Sequence, residues 1–181
     1  MIGVAACATA PRPEGARPSL EARVDAALGS MKSRDPGLLA LLDASYGYAV
    51  FPDIRKRQRD LGADQPGGEL GSTGAHGGGV LFEHGRASGY VDLNQDSIGG
   101  QLENQTFAEL VVFHDRDAVD RLKAGQLEIG QDVSAIAVEP GRATTVATSL
   151  TGAFAVFTMP QDGLVAELPV SGQKLNYRPH G

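Results

Sequence analysis

The chain has 181 residues, a formal net charge of −6 at pH 7, 24 glycines and only 6% aromatic residues. Its length fits one domain with a sizeable core, and its acidic balance argues against a nucleic-acid binder, which is normally basic overall. No apolar run reaches the roughly 20 residues that a membrane-spanning helix needs. Glycine is about twice as frequent as its usual share of roughly 7%, which, with so few aromatic residues, predicts a strand-rich fold with many turns.

The N-terminal segment contains the single cysteine, Cys7, directly after Val4-Ala5-Ala6. This order resembles a bacterial lipobox, in which small residues precede a cysteine that is lipidated and becomes the mature N-terminus. Residues 8–18 are rich in alanine, proline and arginine, as is typical of a flexible tether. We therefore expect residues 1–18 to be a lipobox remnant and tether, with Cys7 as the site of lipid attachment. The alternative is an ordinary small cysteine in a flexible terminus.

Two helices are predicted at the start of the ordered chain. Ser19 can cap the first helix, and apolar residues from Leu20 to Met31 recur at helical spacing after it. Asp35 and Pro36 predict the N-cap and first position of a second helix, for which Gly47 is the expected C-cap.

Strands dominate the rest of the chain, and Pro52 is expected to end the first of them. The predicted strands are 48–51, 79–83, 87–93, 107–113, 132–138, 143–148, 153–158, 165–168 and 174–177, with a short helix over 116–124 capped by Asp115. Consecutive strands with tight turns pair antiparallel, and the two leading helices segregate from them. The prediction is an α+β fold with N-terminal helices packed on a strand-rich, mostly antiparallel sheet or partly closed barrel. We expect residues 19–181 to form this single domain.

A basic cluster follows Pro52, on what we interpret as an irregular loop. It consists of Arg55, Lys56, Arg57 and Arg59. Each Lys or Arg near an anionic membrane contributes about 1 kcal/mol, so four of them orient an anchored protein without holding it there alone. The sequence therefore predicts that these four residues bind lipid headgroups, with Arg12 and Arg17 of the tether adding to the field. The alternative is a solvated loop of an acidic protein.

The glycine run Gly77-Gly78-Gly79 leads into a strand rather than a helix. A phosphate-binding loop needs a helix after it, so this run instead predicts a close approach between backbones.

No motif indicates a metal, another cofactor or a nucleophile. The four histidines are scattered and no zinc ligand set completes around them, and the serines lack a nucleophile elbow. Asp92 or Asp96 acting with His76 in an envelope hydrolase is the rival enzymatic hypothesis.

Several segments, taken in chain order from Ser19 onwards, resemble the SYLF family of lipid-binding domains. They are Gly47-Tyr48-Ala49-Val50-Phe51-Pro52, Gly77-Gly78-Gly79-Val80, residues 97–105 around Gly99-Gly100-Gln101, 110–113, 130–133, and 163–168 leading to Gly172-Gln173-Lys174. Two segments depart from the family pattern. Residues 59–73 form a longer connection than is usual there, and Leu102, Glu103 and Asn104 stand where smaller residues are common.

The resemblance implies a compact strand-rich domain with N-terminal helices and a non-enzymatic, lipid-binding role. Bacterial members of the family are commonly secreted or lipid-anchored envelope proteins, and some eukaryotic members bind phosphoinositides or actin. We therefore expect a periplasmic lipoprotein, anchored to the outer membrane through Cys7, whose partner is an anionic phospholipid surface. A protein-interaction module like the actin-binding relatives is the alternative.

Overall fold

The computed structural model describes residues 18–58, 72–98, 106–130, 136–138, 153–161 and 172–180. Its helices are α1 (Leu20–Arg34), α2 (Gly37–Ala44) and α3 (Arg116–Lys123). Its strands are β1 (Gly47–Gln58), β2 (Ser72–Glu83), β3 (Arg86–Ile98), β4 (Thr106–Phe113), β5 (Glu128–Ile129), β6 (Ile136–Ala137), β7 (Phe154–Pro160) and β8 (Gln173–Pro179).

Within the described residues these strands form one sheet in the order β5-β8-β3-β2-β1-β4-β7-β6. Neighbouring strands are antiparallel, except that the short β6 runs parallel to β7. The two N-terminal helices pack on this sheet, which curls into a half-barrel, so the predicted α+β fold is confirmed. The predicted strands 143–148 and 165–168, and most of 132–138, lie outside the described residues.

The curl is visible in one hydrogen bond between distant strands. Gln173 on β8 donates from Nε2 to Oε2 of Glu109 on β4 at 3.0 Å, and both side chains are fully buried. Three strands separate β8 from β4, so a flat sheet would hold them about 19 Å apart at the usual strand spacing. Only a curled sheet lets the two side chains meet across its inner face.

Each face of the sheet carries its own core. On the inner face, α3 closes over a buried cluster that includes Phe51, Leu81, Phe107 and Phe113. On the outer face, α1 and α2 lay their apolar side chains over Val50, Val80 and Leu110. Because apolar area contributes about 25 cal/mol per Å² when it leaves water, these two layers dominate the stability of the fold.

The ends of the helices follow local sequence signals. Ser19 Oγ accepts from the Ala22 N–H and Asp115 Oδ1 from the Ala118 N–H, which confirms both predicted caps. The predicted start of α2 is wrong by one residue. Asp35 Oδ1 accepts from the Gly37 N–H at 2.9 Å, so Asp35 stabilises the turn before the helix while Pro36 occupies the N-cap position.

The predicted role of Gly47 as a C-cap is also wrong. Helix α2 ends at Ala44, with Ser45 as its C-cap, and Gly47 begins β1. A Cβ at Gly47 would lie 2.7 Å from the Phe82 carbonyl oxygen. The glycine therefore allows close backbone approach between strands rather than a helix turn.

Strand β1 does not end at Pro52 as predicted. Val50 pairs with Val80 and Arg55 with His76, so five steps along β1 match four steps along β2. This is a β-bulge with one extra residue, and β4 pairs with β1 across the same irregularity. A central strand tolerates proline at a bulge because the missing N–H is not needed for the ladder there. The strand therefore continues to Gln58, and residues 59–71, the rest of the predicted irregular loop, lie outside the described residues.

The predicted close approach at the glycine run is confirmed at Gly79. A Cβ built there would lie 2.5 Å from the Val50 carbonyl oxygen and 2.6 Å from Cδ1 of Phe51. The Phe51 ring thus rests against the bare backbone of β2, and no side chain fits between them.

Replacing Gly79 with alanine is expected to lower the free energy of unfolding by about 1–3 kcal/mol, because Phe51 and the β1 backbone must move to admit the methyl group. Chemical denaturation measures the change. Gly29→Ala is the matched control, since Gly29 lies exposed in α1 with no heavy atom within 4 Å of the added Cβ. The control is expected to stabilise by up to about 1 kcal/mol through helix propensity. Equal stabilities for the two variants would contradict the close approach.

Candidate functional site

A row of polar residues crosses the outer face of the sheet at the end where β1 finishes. Its members are directly paired across six neighbouring strands. They are Glu128 on β5, Lys174 on β8, Asn94 on β3, His76 on β2, Arg55 on β1 and Thr106 on β4. All are exposed except Thr106, which is half-buried. Paired residues on adjacent strands share a face, so this polar row is a continuous band about 24 Å long at the usual strand spacing.

The polar row lies beyond the part of the sheet that α1 covers. Leu20, the first residue of α1, sits over Gly78, two residues along β2 from His76. The start of the helix is held there by Tyr90, whose hydroxyl donates to Glu21 Oε1 at 2.8 Å. A backbone hydrogen bond at Glu21 and the Tyr90 hydroxyl both lower the pKa of the Glu21 carboxyl. The helix position therefore determines where the exposed band begins.

Two cations of the polar row form no close ion pair within the described residues, although Glu128 lies opposite Lys174 on the neighbouring strand. In the described part of the chain, neither Arg55 nor Lys174 forms an ion pair. Other cations on the same molecule do, such as Arg178 with Asp92 and Lys123 with Glu83. The charges of Arg55 and Lys174 are thus available to an external anion.

A cleft of about 340 Å³ adjoins this row and lies between α1, the β1 bulge and the end of β7. We call it the α1 cleft. Helix α1 lines it with Arg23, Ala26, Ala27, Ser30 and Arg34, and the sheet lines it with Pro52, Asp53, Met159, Pro160 and Gln161. The Gln161 N–H donates to the Thr106 carbonyl oxygen at 3.1 Å, which joins the cleft to the end of the polar row.

Hydrogen bonds fix the bulge as one wall of the cleft. Gln161 Nε2 donates to the Pro52 carbonyl oxygen at 2.6 Å and to Asp53 Oδ1 at 3.2 Å. Arg23 Nη1 donates to Asp53 Oδ2 in a partly buried ion pair. The bulge interrupts the regular ladder, and there the Gln161 side chain satisfies the Pro52 carbonyl while Arg23 holds the Asp53 side chain.

The predicted basic cluster is only partly brought together. Arg55, Lys56 and Arg57 lie on β1 rather than on a loop, because the bulge lets the strand continue past Pro52. Lys56 pairs with Ala75 and Arg57 with Gly74. Arg55, paired with His76, is exposed on the outer face. Arg59 and Cys7 lie outside the described residues.

The residues of the rival hydrolase hypothesis lie on two neighbouring strands, His76 on β2 and both aspartates on β3. His76 is exposed between Asn94 and Arg55, and its backbone partners are those two residues. Asp92 accepts two hydrogen bonds from Arg178, at 2.9 and 3.1 Å. Asp96 pairs with Gly74 on the backbone. Across the described ranges, no three side chains of metal-binding types come together.

Sequence reasoning missed Lys174, Asn94 and Thr106 as members of a shared surface. Their common signal is register rather than motif, since each is paired directly with the next member of the row. It also missed Arg23 and Arg34 as cleft residues, although their separation of 11 residues on a predicted helix placed them on one side.

Comparison with known protein families finds no matching family model, and comparison with curated proteins finds no significantly similar sequence. The SYLF resemblance therefore stays a prediction. Among the described residues, none of the helices is both long and apolar enough to cross a membrane.

Proposed function

We propose that the chain is a non-enzymatic lipid-binding protein of the bacterial envelope, and that its polar row lies against the headgroups of an anionic phospholipid membrane. The observation that carries the proposal is the exposed band containing Arg55 and Lys174, two cations that form no ion pair among the described residues, on a protein of net charge −6. An acidic body is repelled by an anionic bilayer, so a local band with free cations determines which side approaches it.

The electrostatic attraction between the polar row and an anionic membrane is strong enough to orient the protein but not to hold it there. Arg55 and Lys174 together contribute about 2 kcal/mol near an anionic surface. This sum is too small to hold a protein at a membrane, and a single lipid chain is marginal as well. Two such signals together give stable attachment.

Lipidation of Cys7 is the second signal in this proposal. Lipobox-like Val4-Ala5-Ala6 precedes Cys7, and Ala8 follows it. The absence of an aspartate after the cysteine favours transfer to the outer membrane. The protein then faces the periplasm, with the tether of residues 8–18 linking the anchor to the domain. The ordered resemblance to the SYLF family supports the same lipid-binding role.

The catalytic alternative has less support from the geometry of its residues. A hydrolase needs a base within hydrogen-bond reach of an available acid or nucleophile. Asp92 is engaged by Arg178, and His76 lies on an open surface between two polar neighbours. The exposed imidazole of His76 fits a headgroup contact.

Replacing Arg55 and Lys174 with alanine is expected to weaken binding to vesicles containing phosphatidylglycerol by roughly 30-fold at low salt, which corresponds to the loss of about 2 kcal/mol. Co-sedimentation of the unacylated full chain with anionic and zwitterionic vesicles measures the effect. Binding by the unmodified sequence is expected to fall at high salt, because screening shortens the reach of exposed charges.

The matched control replaces Arg86 and Arg121, two exposed cations outside the polar row. It removes the same net charge, and we expect it to leave vesicle binding within about twofold of the unmodified chain. Equal losses in both double variants would mean that overall charge, rather than the polar row, governs binding. A chain that shows no preference for anionic vesicles would contradict the proposed function.

Lipid attachment has its own test. Mass spectrometry of the native protein extracted in detergent is expected to find acyl chains on Cys7, and Cys7→Ser is expected to move the protein from the membrane to the soluble periplasmic fraction. An unmodified Cys7 in the native protein would contradict the anchor.

A further inference from the structure

The α1 cleft is open because most of the residues that line it from α1 are small. Arg23, Ala27, Ser30 and Arg34 recur at spacings of four, three and four residues, so they lie along one side of the helix. The two arginine backbones are about 16 Å apart along the axis, and the residues between them are small. A volume of about 340 Å³ lies within the range of small-molecule sites.

The opposite wall of the cleft combines three apolar residues with two polar ones, Asp53 and Gln161. Pro52, Met159 and Pro160 face α1 across the cleft, and Ala26 and Ala27 add methyl groups from the helix. An occupant that fills this space gains from burying a hydrocarbon body as well as from a polar contact. The cleft therefore favours an amphiphile over a small inorganic ion.

The charges in the cleft favour an occupant with one negative charge. Arg23 is paired with Asp53, so these two groups neutralise each other. Arg34 is exposed and has no ion pair among the described residues. The cleft thus presents one uncompensated guanidinium, which can bind a carboxylate through two parallel hydrogen bonds.

We propose that the α1 cleft binds one molecule of a singly charged anionic amphiphile of the medium-chain fatty acid class. The carboxylate lies on Arg34, with Ser30 within the same polar part of the cleft, and the hydrocarbon chain runs between Ala26 and the wall formed by Pro52, Met159 and Pro160. The site takes a monomeric ligand through residues outside the polar row, so it goes beyond the proposed attachment to a bilayer.

Asp53 makes the site selective for ligands with a single negative charge. Its carboxylate holds Arg23 and repels a second negative charge, so a dianion is disfavoured. Removing this charge leaves both guanidiniums available at the two ends of the cleft.

Decanoate, kept below its micelle concentration, is the probe for a titration of the full chain by calorimetry, with decanol and acetate as comparison ligands. We expect saturable decanoate binding with a stoichiometry of one, and at least about tenfold weaker binding of decanol and of acetate, since each lacks one half of the interaction. Comparable binding of decanoate and decanol would overturn the role of the carboxylate.

Four variants locate the site. Arg34→Gln is expected to weaken decanoate binding by about tenfold, and Asp53→Asn to strengthen it, because removal of the Asp53 charge raises the positive charge of the cleft. Ala26→Leu places bulk in the cleft from an exposed helix position and is expected to weaken binding without affecting the fold. Arg121→Gln is the charge-matched control for Arg34→Gln and is expected to leave binding unchanged.

Decanoate binding that is the same in Arg34→Gln and Ala26→Leu as in the unmodified chain would overturn the proposal. If Arg34→Gln proves misfolded by circular dichroism, the exposed Ala26→Leu variant decides alone. The Arg55 and Lys174 double variant is expected to retain decanoate binding, so the membrane proposal and the cleft proposal can fail separately.

Discussion

The extra residue at Pro52–Asp53 in β1 determines which of the following side chains are buried and which are exposed. In a regular strand that continued from Phe51, alternation would place Ile54 on the outer face and Arg55 on the inner face. The bulge reverses this order. Ile54 is fully buried in the inner cluster, and Arg55 is exposed on the outer face beside His76 and Thr106. A proline in a central strand requires such an irregularity, so the polar row depends on Pro52.

The same bulge connects three elements that are distant in sequence. Asp53 binds Arg23 of α1, and Gln161 after β7 binds both Pro52 and Asp53. These contacts hold the walls of the α1 cleft at the edge of the polar row. On the inner face, aromatic side chains pack closely and the Glu109–Gln173 bond joins β4 to β8. The open surfaces that we assign to binding therefore lie on the outer face.

The sequence predicts features that depend on residues close together in the chain, such as helix caps. It does not predict features that depend on how distant strands pair, such as the bulge and the polar row. Ser19 and Asp115 cap helices through bonds to residues three positions away, so local sequence predicts both caps and the structure confirms them. Local rules predict that a strand ends at Pro52, and that prediction is wrong because β2 and β4 both pair with β1 across the extra residue. The polar row combines Arg55 with Lys174 through three intervening pairings, and no local pattern contains that register.

Paramagnetic relaxation from a spin-labelled lipid in anionic bicelles tests most directly whether the bulge end of the outer face meets the membrane. If the polar row lies against the membrane, the strongest broadening of backbone amide signals is expected at Arg55, His76 and Lys174. Little effect is expected at the β2–β3 turn, His84–Gly85, at the opposite end of the sheet. Broadening that is strongest at that turn, or uniform over the surface, would contradict membrane contact through the polar row.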